Sequence, residues 1–110
     1  MPAKFRIPRA DFKRMRGFKR LHGRFFSLSY GELPGRTAPG AATVVSKGVA
    51  ARAVKRNLIK RRARSVLAKC LKNAGPIAYV LIAKKGADSA TFPAIQADIQ
   101  ELVARSAGAR

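Results

Sequence analysis

The sequence predicts a single α+β domain, and three observations carry that prediction. The chain has 110 residues and is 47% apolar, which is enough for one core and too short for two. Two stretches, Ala51 to Leu71 and Thr91 to Arg105, place apolar residues at helical spacing. Two others read as strands: RFFSLSY at Arg24 to Tyr30 alternates, and Ile77 to Ala83 is apolar throughout.

In order, residues 1–10 are basic and interrupted by Pro2 and Pro8, which predicts an extended arm. Asp11 is placed to cap a short helix through Phe12 and Met15 that reaches Phe18, with Gly17 ending or kinking it. Lys19 to Gly23 reads as a connection or a short strand. In the strand Arg24 to Tyr30, alternation sends Phe26, Leu28 and Tyr30 toward a core. It sends Phe25, Ser27 and Ser29 to the other face, which is small, polar and suited to the floor of a groove.

Residues 31–40 contain two Pro and three Gly and predict a loop. Ala41 to Ser46 is a short second strand, and Ser46-Lys47-Gly48 leads from it into the long helix. That helix carries a stripe of Ile59, Ala63, Val66, Leu67 and Cys70, with Asn57, Arg61, Arg64, Ser65 and Lys72 opposite and Lys60 and Arg62 flanking. Asn73-Ala74-Gly75-Pro76 is a helix stop. The unbroken apolar strand Ile77 to Ala83 belongs inside a sheet. In the last helix Thr91 is the N-cap and Ile95, Ile99, Leu102 and Val103 form the stripe. Residues 106–110 are expected to fray. One domain, 1–110, with no repeats, accounts for the whole chain.

Charge narrows the function. Lys and Arg number 24 against 5 Asp and Glu, a net charge of +19 and a pI near 11.8. Ten of the 24 lie between Val44 and Lys72, and no acidic residue occurs between Glu32 and Asp88. Like charges at i,i+3 and i,i+4 destabilise a helix, so an unrelieved run of them points to a polyanion partner.

Other classes are disfavoured. The longest apolar run is too short for a membrane span, there is no Trp for an interfacial helix, and residues 1–9 lack a secretory h-region. One Cys and one His cannot form a disulfide or a zinc site, and Cys70 on the apolar stripe reads as a core residue. The five carboxylates are scattered and no phosphate-binding glycine loop is present. The chain is therefore expected to have no catalytic residue, no metal ligand and no small-molecule substrate of its own, and to act in the cytoplasm. Guanidinium and ammonium groups for phosphate, with a few aromatics for base stacking, are what it offers.

At KRNLIKRRAR, Lys55 to Arg64, the sequence resembles the protein subunit of bacterial ribonuclease P, whose long helix carries an RNR-type motif. Ala53, Arg56, Asn57, Ile59, Lys60, Arg61 and Arg64 match the pattern. A strand ending in VSK precedes it and VLIAKKGA follows it, and the likeness extends over residues 9–103. Three positions depart from the pattern. Leu58 stands where the motif has its second Arg, Gly48 replaces the second of two lysines, and Arg16 replaces the aromatic one turn after Phe12.

The resemblance implies a two-layer sandwich of αβββαβα order, with the long basic helix in a left-handed βαβ crossover. It implies that a large RNA subunit with Mg²⁺ hydrolyses the bond that releases the 5′ leader of precursor tRNA. Contacts to that RNA subunit would fall to Lys47, Arg52, Arg56, Asn57, Lys60, Arg61 and Arg64. The leader would lie in a cleft lined by Phe12, Arg16, Phe18, Phe25, Ser27 and Ser29 and walled by the first and long helices. A structural ribosome-associated RNA-binding protein and a self-sufficient protein nuclease are the rival readings.

Overall fold

Four strands and two helices follow one another as β1 (Arg16–His22), β2 (Phe26–Glu32), β3 (Gly40–Val44), α1 (Ala53–Cys70), β4 (Ile77–Ala83) and α2 (Phe92–Ala109). The computed structural model describes residues 16–32, 39–71 and 77–109. The strands form one sheet in the order β1-β2-β4-β3. β2 pairs antiparallel with β1 and with β4. β3 lies parallel to β4, so α1 is the crossover between two adjacent parallel strands.

Register sorts the side chains onto two faces. Phe26, Leu28 and Tyr30 of β2 stand opposite Ala83, Leu81 and Tyr79 of β4, and Ala41 of β3 stands opposite Tyr79. These side chains form one core with Ile59, Ala63, Val66, Leu67 and Leu71 at α1, and with Ile95, Ile99 and Leu102 of α2. Both helices thus pack on the same face of the sheet, which makes two layers. Each large aliphatic or aromatic side chain so buried contributes about 1.5–3 kcal/mol. The apolar run of β4 is interior, between β2 and β3, as its composition predicts. Cys70 packs half-buried against the core, and desolvation pushes its thiol pKa up.

The element boundaries carry several corrections. The expected helix over 11–18 falls mostly outside the described residues, but Phe18 is extended, within β1. The chain there runs along the outer edge of β2, whose backbone groups it pairs with from Arg16 to His22. A register shift between Arg16 and Lys19 bulges this edge. Lys19 to His22 is therefore strand, the second of its two readings. The strand expected from Arg24 begins two residues later, because residues 23–25 form a turn. The frayed tail is also corrected: α2 continues through Ala109, and Ser106 is fully buried, its hydroxyl donating to Val103 O at 2.7 Å. Thr91 caps α2 as expected, accepting from Ala94 N–H at 3.3 Å. After β4, a 3-10 turn at Ala87–Ser89 follows Gly86, whose φ of 103° lies in the left-handed region that glycine tolerates.

The β1–β2 turn is locked by a residue that periodicity alone assigns to the flank of α2. The Asp98 carboxylate accepts the backbone N–H groups of Arg24, Phe25 and Phe26 at 2.8, 2.9 and 3.0 Å. Gly23 passes so close that a Cβ there would sit 2.6 Å from Asp98 Oδ1. Lys84 adds a second tie, its Nζ donating to Gly23 O at 2.9 Å. Among the described residues no helix is long and apolar enough to cross a membrane.

Candidate nucleic-acid interface

The charged run lies where its spacing puts it. On α1, Ile59, Ala63, Val66 and Leu67 are buried, while Lys55, Asn57, Arg61, Ser65 and Lys69 are exposed. Lys60, Arg62 and Arg64 are half-buried along the two flanks. Leu58 is half-buried among them. Among the described residues none of these cations is paired with a carboxylate, and the first turn of α1 holds no acid. Arg52, exposed, occupies the N-cap without a side-chain cap bond. Cations at a helix N-terminus oppose the helix dipole, so this end is locally unfavourable until an anion arrives.

Arg56 does double duty. Its Nη1 donates to Ala50 O at 3.0 Å and Ala51 O at 2.7 Å, which ties the loop before α1 to the helix and leaves the second amino group for a partner. Lys47 is exposed in the turn over 47–49, closed by Val49 and Ala50 N–H groups on Ser46 O at 3.1 and 3.2 Å. Lys47, Arg52, Arg56, Asn57, Lys60, Arg61 and Arg64 thus lie between the end of β3 and the middle of α1, each exposed or half-buried. The helix spans about 27 Å at 1.5 Å per residue, the reach of several successive phosphates.

The second expected set is only partly assembled. Ser27 and Ser29 face away from the helix-packed core, on the side of the sheet opposite α1 and α2, and both are buried, at 8% and 5% exposure. Phe18 is exposed on β1. Phe25 does not share their face. It lies in the turn before β2, half-buried against the core, with the Arg24 guanidinium carbon 5.2 Å from its ring centroid. The three N–H groups drawn onto Asp98 break the strand alternation that put Phe25 beside the serines. Arg16 stands opposite Glu32 in β1, and Phe12 lies outside the described residues. Because α1 packs on the opposite face, it does not wall the serine floor; rail and floor are separate surfaces of the sheet.

Two floor residues escape the motif reading. Arg20 Nε donates to Ser29 Oγ at 3.2 Å, and His22 Nδ1 lies 3.2 Å from Ser27 Oγ. The sequence reads Lys19 to Gly23 as a connection or a short strand, and the pairing with β2 shows which of its residues stand beside the serines. Among the described residues no three of His, Cys, Asp and Glu come together as a metal site.

A four-stranded mixed sheet backed by two helices, one of them a crossover helix studded with cations that no described carboxylate pairs, defines a class of basic α+β proteins. Known proteins make the class specific. The Ribonuclease P family model matches residues 1–107, and the chain belongs to that family. Its fold matches the Staphylococcus aureus RNase P protein with a TM-score of 0.82 at 24% identity, covering 93% of this chain and 94% of that one. A mutant of the S. aureus protein with defective mRNA degradation activity gives 0.84 at 24% identity, covering 94% and 88%. The Thermotoga maritima RNase P protein in complex with 1-(4-fluorophenyl)-2-thiourea gives 0.72 at 20% identity, covering 87% and 90%. No curated protein matches the chain.

Proposed function

We propose that this chain is the protein component of the ribonuclease P ribonucleoprotein, working in the cytoplasm. It binds a catalytic RNA subunit through the α1 rail and holds the 5′ leader of precursor tRNA on the serine face of the sheet. One observation carries the reading: a helix-long row of Lys and Arg with no described carboxylate to neutralise it. Such a row is a net cost to the isolated fold and a gain once phosphates occupy it. Arg61 and Arg64 present planar forks suited to bidentate phosphate contact, Lys60 a point charge, and Asn57 a neutral donor and acceptor for ribose or base.

The chain supplies binding and orientation. Hydrolysis is assigned to the RNA subunit with Mg²⁺, which that RNA would hold. The described carboxylates fit this division. Asp98 is committed to three backbone N–H groups, and Glu32, Asp88 and Glu101 do not converge.

Reconstitution tests the proposal. Mixed with a bacterial catalytic RNA and precursor tRNA at low Mg²⁺, the chain is expected to restore 5′ cleavage, and alone to cleave nothing. Binding to the RNA without any stimulation of cleavage would favour a structural ribosome-associated role.

A further inference from the structure

The outermost line of α1 is not its most charged part. At helical spacing Val54, Leu58, Arg61 and Ser65 (i, i+4, i+7, i+11) form a crest directly opposite the buried stripe of Ile59, Ala63, Val66 and Leu67. Three of these four crest residues are uncharged. The neighbouring cations stand beside the crest, Lys55 and Arg62 along one flank and Lys60 and Arg64 along the other. The rail is therefore two cationic rows with a ridge between them that is apolar at its N-terminal end.

Val54 is 82% exposed, more than any other large hydrophobic side chain among the described residues. One exposed aliphatic side chain is ordinary on a protein surface. Its place is not ordinary. Val54 is the second residue of α1, where an acid would favour the helix dipole, and its β-branch makes it a poorer helix former than alanine. Nothing in the isolated fold rewards a valine there. Leu58, one turn on, is half-buried and has Lys55, Arg61 and Arg62 as its own one-turn neighbours. Asn57 stands one turn from Val54, exposed, with its amide in no hydrogen bond among the described residues.

Phosphate gains from cations and loses hydration against aliphatic carbon. The face of an unpaired base is the reverse: it is apolar, and its edge carries donors and acceptors that an amide can match. A paired base hides that face in the stack. Cations framing an apolar patch, with no described carboxylate among them, thus complement a polyanion that also presents apolar rings. The Cβ atoms of residues one turn apart are about 6 Å apart, so Val54 and Leu58 together cover one base and not a stack of them.

We infer that Val54 and Leu58 form a base-contact site within the α1 rail. They cover the face of one unpaired base of the RNA subunit, Asn57 bonds its edge, and Lys55, Arg61 and Arg62 hold the phosphates around that nucleotide. This inference rests on the reading of α1 as the RNA-subunit contact and adds to it the task of the uncharged part of the helix.

The test is filter binding of the full chain to a bacterial catalytic RNA over a range of salt. Val54→Ala improves helix propensity, so the thermal midpoint should hold, while binding weakens about threefold; Val54→Ala with Leu58→Ala should weaken it about tenfold. In both variants the log–log salt slope should stay that of the wild type, because no phosphate contact is lost. Dimethyl sulfate methylates the open edges of unpaired A and C. It should reveal at least one base that the wild type protects and the double alanine variant does not. An abasic nucleotide at that position should weaken binding of the wild type and leave the double variant unchanged. Wild-type affinity in the double variant, or a loss that shows as a lower slope, overturns the base contact while the rail stands. If Arg61→Ala with Arg64→Ala leaves the slope unchanged, the rail reading fails and the base contact with it.

Discussion

Asp98 shows how much one side chain can hold. It is buried at 7% exposure, and its carboxylate is the acceptor for three consecutive backbone N–H groups. Removing it strands three donors in a partly buried turn. Asp98→Ala is therefore expected to cost about 3 kcal/mol, read as a lower urea midpoint at unchanged slope. Asp98→Asn keeps one acceptor oxygen and should lose less. Gly23→Ala drives a methyl into the same carboxylate, which cannot move without giving up its three bonds. The two substitutions should be strongly non-additive: Gly23→Ala costs much less once Asp98 is Ala. Periodicity placed Asp98 beside the α2 stripe and could say no more. Its partners lie more than seventy residues away in sequence, and no local pattern encodes a contact of that range.

At the scale of the element, α1 was the most legible part of the chain. Its buried stripe and its cationic surface both follow from a period of 3.6 applied to residues 51–71, and tertiary packing moved its ends by only one or two residues. β1 was the least legible. Nothing in RGFKRLH alternates by polarity: Phe18, Lys19, Arg20 and His22 are all exposed on this edge strand and Leu21 packs against the core, so only the register with β2 defines it. Phe25 leaves the face it would share with Ser27 and Ser29 because a long-range carboxylate, invisible locally, shortens β2 at its start. The rail makes its own prediction. Arg61→Ala with Arg64→Ala should weaken assembly with the RNA subunit and lower the salt slope by about 1.4–1.8 in a filter-binding titration. Unchanged slope would mean that these residues touch no phosphate. Leu58→Arg, which places a guanidinium at the position where the family motif carries one, is expected to steepen the slope by about 0.7–0.9.

At the scale of the whole molecule, the balance of charge governs what the fold can do alone. A net charge of +19 on 110 residues is self-repulsive, and the α1 cations have no described carboxylate to relieve them. The core that resists this repulsion is sound: one face of the sheet is filled by two helices, with Tyr79, Phe26, Leu67 and Leu81 fully buried. The repulsion is concentrated on the outside of α1 and at its N-terminal end, where Lys47, Arg52 and Arg56 also work against the helix dipole. An anion that binds there acts on the folded state and not on the dispersed charges of the unfolded chain. Its effect then follows mass action: at ten times its dissociation constant it stabilises by about 1.4 kcal/mol, or about 5 °C in midpoint. Pyrophosphate or sulfate at millimolar concentration is accordingly expected to raise the thermal midpoint of the free protein more than sodium chloride of equal ionic strength, which only screens. The excess should shrink in the Arg61→Ala, Arg64→Ala variant. Equal midpoints in the two salts would show that the rail does not gather anions at all, and the cost of holding so many like charges on one helix would have no compensation in the isolated protein.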